Sequence, residues 1–185
     1  MSFDAFFLLL GDITIVALIL CSCVLLSFVL IGGPKGAPFV RSSSALQNDV
    51  MTIARIRPGE RVLDLGSGDG SLLILAAEYG AYGTGIEINP FLVMIARARI
   101  RQKGLCHRIR IIWGDIFNTP LPSTDLVIFY LWPETLMRLR TKLIQELSSH
   151  TRLVSLAFPI REWIPEQKLG NTFLYRLPSD QNVFQ

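Results

Sequence analysis

Hydrophobic and polar positions along the chain fall into two regimes. From Ile13 to Ile31 (ITIVALILCSCVLLSFVLI) all 19 residues are uncharged, close to the ~20 that a helix needs to cross the hydrocarbon core of a bilayer. The pattern predicts a membrane-spanning helix over 13–31, preceded by a short segment 1–12. The next stretch, GGPKGAPFV, carries three glycines and two prolines, which oppose helix continuation and predict an irregular linker over 32–43.

From residue 44 the pattern changes to short apolar runs alternating with amphipathic ones. Ser42, Ser43 or Ser44 can cap a helix reaching about Ile56, with Leu46, Val50, Ile53 and Ala54 on one face. After a turn at Arg57–Glu60, strands are predicted at RVLDL (61–65), AYGTGIE (81–87), RIRIIW (108–113), TDLVIFY (124–130) and TRLVSLAF (151–158). Helices are predicted between them at Gly70–Tyr79, Pro90–Lys103 and Glu134–Ser148, and a last short strand, TFLYRL (172–177), at a sheet edge. Apolar strands separated by helices predict an α/β domain over 44–185, a parallel sheet with helices on both faces.

Charge follows the same division. Residues before Lys35 carry −2 and the remainder +5, giving the net +3. By the positive-inside tendency, the domain after the span is expected on the cytoplasmic (or matrix) side of a single-pass protein. So small a net charge gives no reason to expect a nucleic-acid partner. Of the three cysteines, Cys21 and Cys23 lie in the apolar run and Cys106 stands apart. They assemble neither a disulfide framework nor a tetrahedral zinc site, and no metal is expected.

Asp64-Leu65-Gly66-Ser67-Gly68-Asp69-Gly70 follows the first strand directly. Three glycines in a strand-to-helix turn let a ligand approach the backbone closely. A dinucleotide fingerprint would require glycine at position 71, which is serine; the G-x-G-x-G spacing matches S-adenosylmethionine binding better. Glu87, at the end of the second strand, is placed to accept from two ribose hydroxyls, with Ile88 beside it. After the third strand, Asp115 is placed to accept from the adenine amino group while Ile116 packs on the ring. Asp64, Gly66, Ser67, Gly68, Gly70, Glu87, Ile88, Asp115 and Ile116 are therefore the candidate cofactor residues. Tyr130 and Trp132, after the fourth strand, and Phe39, upstream, are candidates for an aromatic acceptor slot able to contact a methylammonium or sulfonium. Arg97, Arg99, Arg101 and Lys103 read as a solvated helix face.

PFV (38–40), DLGSGDG (64–70), EINPFLV (87–93), KLIQEL (142–147) and TRLVSLAFPIREWIP (151–165) together resemble the class I methyltransferases, and within them the small, membrane-anchored protein-lysine methyltransferases. Members of that group act on the ATP synthase c-subunit and the adenine nucleotide translocase. The resemblance implies a Rossmann-like class I methyltransferase sheet, S-adenosylmethionine as cofactor, and transfer of a methyl group to lysine on a membrane-associated protein. It places Phe39 in a motif that folds over the cofactor or acceptor. Arg41 and Ser71 depart from the resembled pattern, in which proline and arginine are frequent. Two other readings remain open at this level: a membrane-anchored methyltransferase of a lipid or quinone, and a non-catalytic cofactor-binding module.

Overall fold

The computed structural model describes residues 3–32 and 43–177; Phe39, Val40 and Arg41 lie outside the described residues. Helix α1 (Phe3–Gly32) is 30 residues long, about 45 Å at 1.5 Å per residue. It starts ten residues before the apolar run, because nothing between Phe3 and Asp12 interrupts a helix. Ile13, Ile15, Val16, Leu18, Ile19, Leu20 and Leu26 are all exposed around it. Thr14 and Ser22 return their hydroxyls to the carbonyls of Gly11 and Leu18 at 2.7 and 2.8 Å. Among the described residues no helix is long and apolar enough to cross a membrane, so the expected span over 13–31 is not carried by them.

The domain is a seven-stranded sheet in the order β3-β2-β1-β4-β5-β7-β6. Its strands are β1 (Arg61–Leu65), β2 (Tyr82–Glu87), β3 (Ile109–Trp113), β4 (Leu126–Phe129), β5 (Arg152–Leu156), β6 (Gln167–Leu169) and β7 (Thr172–Arg176). Helices α2 (Ser44–Ala54), α3 (Ser71–Glu78), α4 (Pro90–Gln102) and α5 (Pro133–Glu146) connect them. Alternate strand residues feed two cores. Val62, Ile128 and Val154 pack with Val50, Leu73 and Val93 of α2, α3 and α4. Leu63, Val127 and Leu153 pack with Leu136, Leu139 and Leu143 of α5. Helices thus cover both faces, as the alternation of runs predicts.

The sheet is not wholly parallel. β7 runs antiparallel to β5, and β6 antiparallel to β7. TFLYRL therefore lies inside the sheet instead of at its edge, which β6 occupies. All three residues of β6 are exposed, so no apolar alternation marks them; the strand exists because β7 presents free backbone groups that must be paired.

α2 sets a direction that matters for the site. The Ser43 hydroxyl caps its start, accepting from Leu46 N at 3.2 Å, and the carbonyl of its last residue, Ala54, accepts from the Arg152 guanidinium at the beginning of β5. Its C-terminus therefore sits at the edge where the parallel strands begin. At the opposite edge Thr172 pairs with Leu156, the end of β5. There a Cβ at Gly170 would lie 3.2 Å from the Asp49 carboxylate, at the middle of α2 and about a turn and a half before Ala54. The chain enters the domain at the edge where the parallel strands end.

Candidate active site

The glycine-rich turn is held in a conformation that side chains resist. Gly66, Gly68 and Gly70 take φ of 82°, 53° and 75°, the left-handed region where a Cβ is strained. Gly66 N and Ser67 N both donate to Ile86 O, at 2.9 and 3.1 Å, which draws the turn against the end of β2. Glu87 then fastens it: one carboxylate oxygen accepts from Gly68 N and the other from Asn89 N, both at 2.8 Å. Asn89 in turn caps α4 through Phe91 N at 2.9 Å. Glu87 is buried, and burial raises its pKa while those backbone donors oppose the rise.

Asp64 is only 3% exposed. Burial, followed by the charges of Glu87 and Asp69, pushes its carboxyl up to about 8. A buried acid facing two other acids is costly in the empty protein, and a bound cation would relieve it.

The remaining candidates divide. The Ser67 hydroxyl is buried without a hydrogen-bond partner, and a Cβ on Gly85 would lie 2.5 Å from it. The side chain thus packs on β2, and Ser67 serves the turn through its backbone. Ile88 is half-buried, and its carbonyl accepts from Trp113 Nε1 at 3.0 Å. Asp115 follows β3, where Gly114 N donates to Glu87 O at 2.9 Å. Its two oxygens already accept from Phe117 N and Asn118 Nδ2, at 2.9 and 3.1 Å, leaving lone pairs for one more donor. Ile116 packs on the α5-side core.

Tyr130 and Trp132 meet through a residue that motif reading passed over. Phe158, after β5, stacks on Trp132 with ring centroids 6.0 Å apart and planes 23° from parallel, and lies 6.5 Å from Tyr130. Trp132 is 48% exposed, whereas Tyr130 also packs against the core beneath α2. Ala157 adopts a φ of 65° with its N–H on Asn171 O at 2.7 Å, and this strained turn delivers Phe158. Only a long-range strand pairing brings 130–132 to 158, so no local signal could single it out. Leu131 lies against the glycine turn, 3.5 Å from a Cβ at Gly66, which puts the aromatic group beside the turn.

The basic run on α4 is not simply solvated. Arg97 donates to Ile111 O at 2.7 Å, and Arg99 reaches the Asp69 carbonyl and the Ser71 hydroxyl at 3.1 and 3.0 Å. Ser71, a departure from the resembled pattern, receives a guanidinium from α4.

With this arrangement of turn, acids and aromatics in place, comparison with known proteins is decisive. The ANTKMT methyltransferase domain matches residues 64–167. The chain belongs to that family. Among its relatives, the ATP synthase c-subunit lysine N-methyltransferase of Xenopus laevis is 32% identical over 133 residues, 72% of this chain and 58% of that protein. A protein-lysine N-methyltransferase of Saccharolobus islandicus is 32% identical over 132 residues, 70% of this chain and 82% of that protein. The crystal structure of an RNA methyltransferase from Salinibacter ruber with S-adenosyl-L-homocysteine superposes with a TM-score of 0.72 at 31% identity, covering 75% of this chain and 94% of that one. This chain spans 53–61% of the length of the vertebrate c-subunit methyltransferases it matches.

Proposed function

We propose that this family member is an S-adenosylmethionine-dependent methyltransferase that N-methylates lysine on a membrane-associated protein. The observation that carries the reading is the buried pair Asp64 and Glu87 against a turn of three left-handed glycines. The fit to the cofactor is chemical: Asp64 can face its cationic amino-acid end, Glu87 has lone pairs left for ribose hydroxyls, and Ile88, Asp115 and Ile116 stand where adenine would lie. When bound, the cofactor supplies a methyl group activated on a sulfonium. The chain's own task is alignment and exclusion of water. Trp132 and Phe158, with Tyr130 behind them, offer an apolar aromatic wall. There a lysine amine, with an ordinary pKa of about 10.4, is pushed toward its neutral, nucleophilic form by desolvation, and a methylated ammonium is held by the ring faces. Phe39 is proposed for the same wall.

The membrane part of the proposal rests on the sequence and on the direction of α2. The run 13–31 is uncharged and 19 residues long, close to the ~20 a spanning helix needs; this support is the sequence's own, since no helix among the described residues is long and apolar enough to cross a membrane. Ten residues, 33–42, separate α1 from Ser43, a reach of at most ~36 Å. Because the chain enters the domain at the edge carrying the glycine turn, the site is kept near the bilayer, on the cytoplasmic (or matrix) side. Residues 1–12, 13–31, 32–43 and 44–185 are on this reading the leading segment, anchor, linker and methyltransferase domain.

The test is transfer of label from radioactive cofactor to membranes of a strain lacking the protein. Label in a protein band that maps to lysine by mass spectrometry is expected. Label extracting into organic solvent would indicate a lipid or quinone, label on RNA a nucleic-acid acceptor, and cofactor binding without any transfer a non-catalytic module; each would overturn the lysine reading.

A further inference from the structure

Resting on the cofactor reading above, we infer that Arg99 is a positioning residue for the cofactor turn, a brace from α4 that sets where Gly68 and Glu87 stand. The Arg99 guanidinium takes three acceptors on one short segment: the Asp69 carbonyl at 3.1 Å, the Ser71 hydroxyl at 3.0 Å and the Asp69 carboxylate. Asp69 uses its other oxygen on Ser71, whose N–H donates at 3.2 Å and whose hydroxyl also bonds it. Gly70 lies between the two and leans on the same helix, for a Cβ there would lie 3.3 Å from that of Ala96. Ala96 and Arg99 are three residues apart and share a helix face, so α4 holds this segment at two levels.

The contacts close into a ring. Glu87 holds Gly68 with one oxygen and Asn89 with the other; Asn89 caps α4; and α4 returns through Arg99 to Asp69, next to Gly68. Arg99 and Asp69 are 30% and 14% exposed at the side chain, so the pair, made through the single nitrogen Nη1, is partly withdrawn from water, where a charge-assisted contact counts for more than at the surface. Opening the ring at Arg99 frees the turn without touching any group that meets the cofactor. The charged groups facing Asp64 are Glu87 and Asp69, and Arg99 compensates the second of these.

The experiment is calorimetric titration of the full chain in detergent with S-adenosyl-L-homocysteine. Arg99→Met is expected to weaken binding about 10- to 100-fold, the loss of a charged hydrogen-bond set, and to move the pH at which affinity levels off upward, since a positive charge is then removed from beside the acids that face Asp64. A purely structural role would lower the melting temperature without moving that pH. Arg99→Lys keeps the charge but ends one atom short of Nη1, through which all three contacts run, and is expected to fall between wild type and Arg99→Met; if Arg99→Met does not fold, an Arg99→Lys variant with unchanged affinity overturns the brace. Adding Asp69→Asn to Arg99→Met is expected to cost little more, and fully additive losses would overturn it. Wild-type affinity in Arg99→Met overturns the brace alone, whereas no binding by the unsubstituted protein overturns the cofactor reading and the brace with it.

Discussion

The two edges of the sheet are built by opposite rules. Where the parallel strands begin, the charges at the strand heads have their complements. Arg61 at the head of β1 pairs with Asp125 through its backbone and guanidinium, at 2.8 to 3.1 Å. Arg152 at the head of β5 takes both oxygens of Glu60 at 2.8 and 2.7 Å. Where the same strands end, Asp64 faces only acids and the Ser67 hydroxyl has no partner. Ala157 is wound into a left-handed conformation. Arg61 and Asp64 belong to one strand of five residues, yet the charge at one end is paired within the protein and that at the other faces like charge. A left-handed non-glycine residue stands at each edge, Ala157 at one and Arg55, the C-cap of α2, at the other. What separates the edges is charge, paired with its opposite at the strand heads and facing its like around Asp64, the pattern of a site that gives up stability for binding.

Substitutions should separate the edges. The largest effect is expected from Glu87→Ala, which unfastens the turn and leaves ribose hydroxyls without an acceptor; S-adenosylhomocysteine affinity should drop at least about 100-fold by calorimetry. At the other edge, Arg152→Met removes the charged partner of Glu60, leaving its carboxylate the Arg57 N–H, and removes the guanidinium donor to the Ala54 carbonyl, in a largely buried place. Urea unfolding should show a loss of about 2–3 kcal/mol, with affinity unchanged.

Next in size is the pH dependence of Asp64. Its carboxyl holds its proton up to about 8 in the folded, empty protein, against 3.8 for an ordinary aspartate. A raised folded-state pKa contributes stability that is fully present below the unfolded value and is lost as pH rises through the folded one. Empty protein should therefore become less stable from about pH 4 to pH 8, and Asp64→Asn should raise its melting temperature at pH 8 while weakening binding. Cofactor affinity should run the other way, rising by up to about tenfold per pH unit toward 8 as the proton no longer has to be expelled, then levelling. Flat melting and binding profiles over this range would remove the distinction between the edges.

Phe158→Ala should lower methyl transfer about tenfold while leaving S-adenosylhomocysteine affinity intact, since the ring belongs to the proposed acceptor wall with Trp132; an equal loss in binding would merge the two halves of the site. Smallest of all should be Arg61→Gln. That pair lies in water, 53% and 39% exposed at the side chain, and its removal should cost less than about 1 kcal/mol.

Much of this was legible along the chain. β1 coincides with RVLDL, and α3, α4 and α5 begin and end within two residues of their predicted bounds, because each is framed by glycine, proline or a cap and carries a regular apolar period. The glycine turn and Glu87 could be placed on strand ends for the same reason. β6 could not be seen, since its three exposed residues owe their conformation to β7. Nor could the environment of Arg97 and Arg99, whose partners lie 14 to 30 positions away. The role of Phe158 likewise waits on the pairing of β4 with β5, which brings the ends of the two strands together.

What the sequence by itself determined is local and chemical: the apolar run of the N-terminus, the alternation that makes an α/β sheet, and the order of acids and glycines that defines a cofactor turn. Period, capping and left-handed glycines act within a few residues, so one chain read alone reveals them. Only the tertiary structure decided which charges are compensated, which buried hydroxyls lack a partner, and which aromatic stacks on Trp132. Burial and partnership depend on residues brought together from distant parts of the chain, and it is burial that turns Asp64 from an ordinary aspartate into an acid that holds its proton up to about 8.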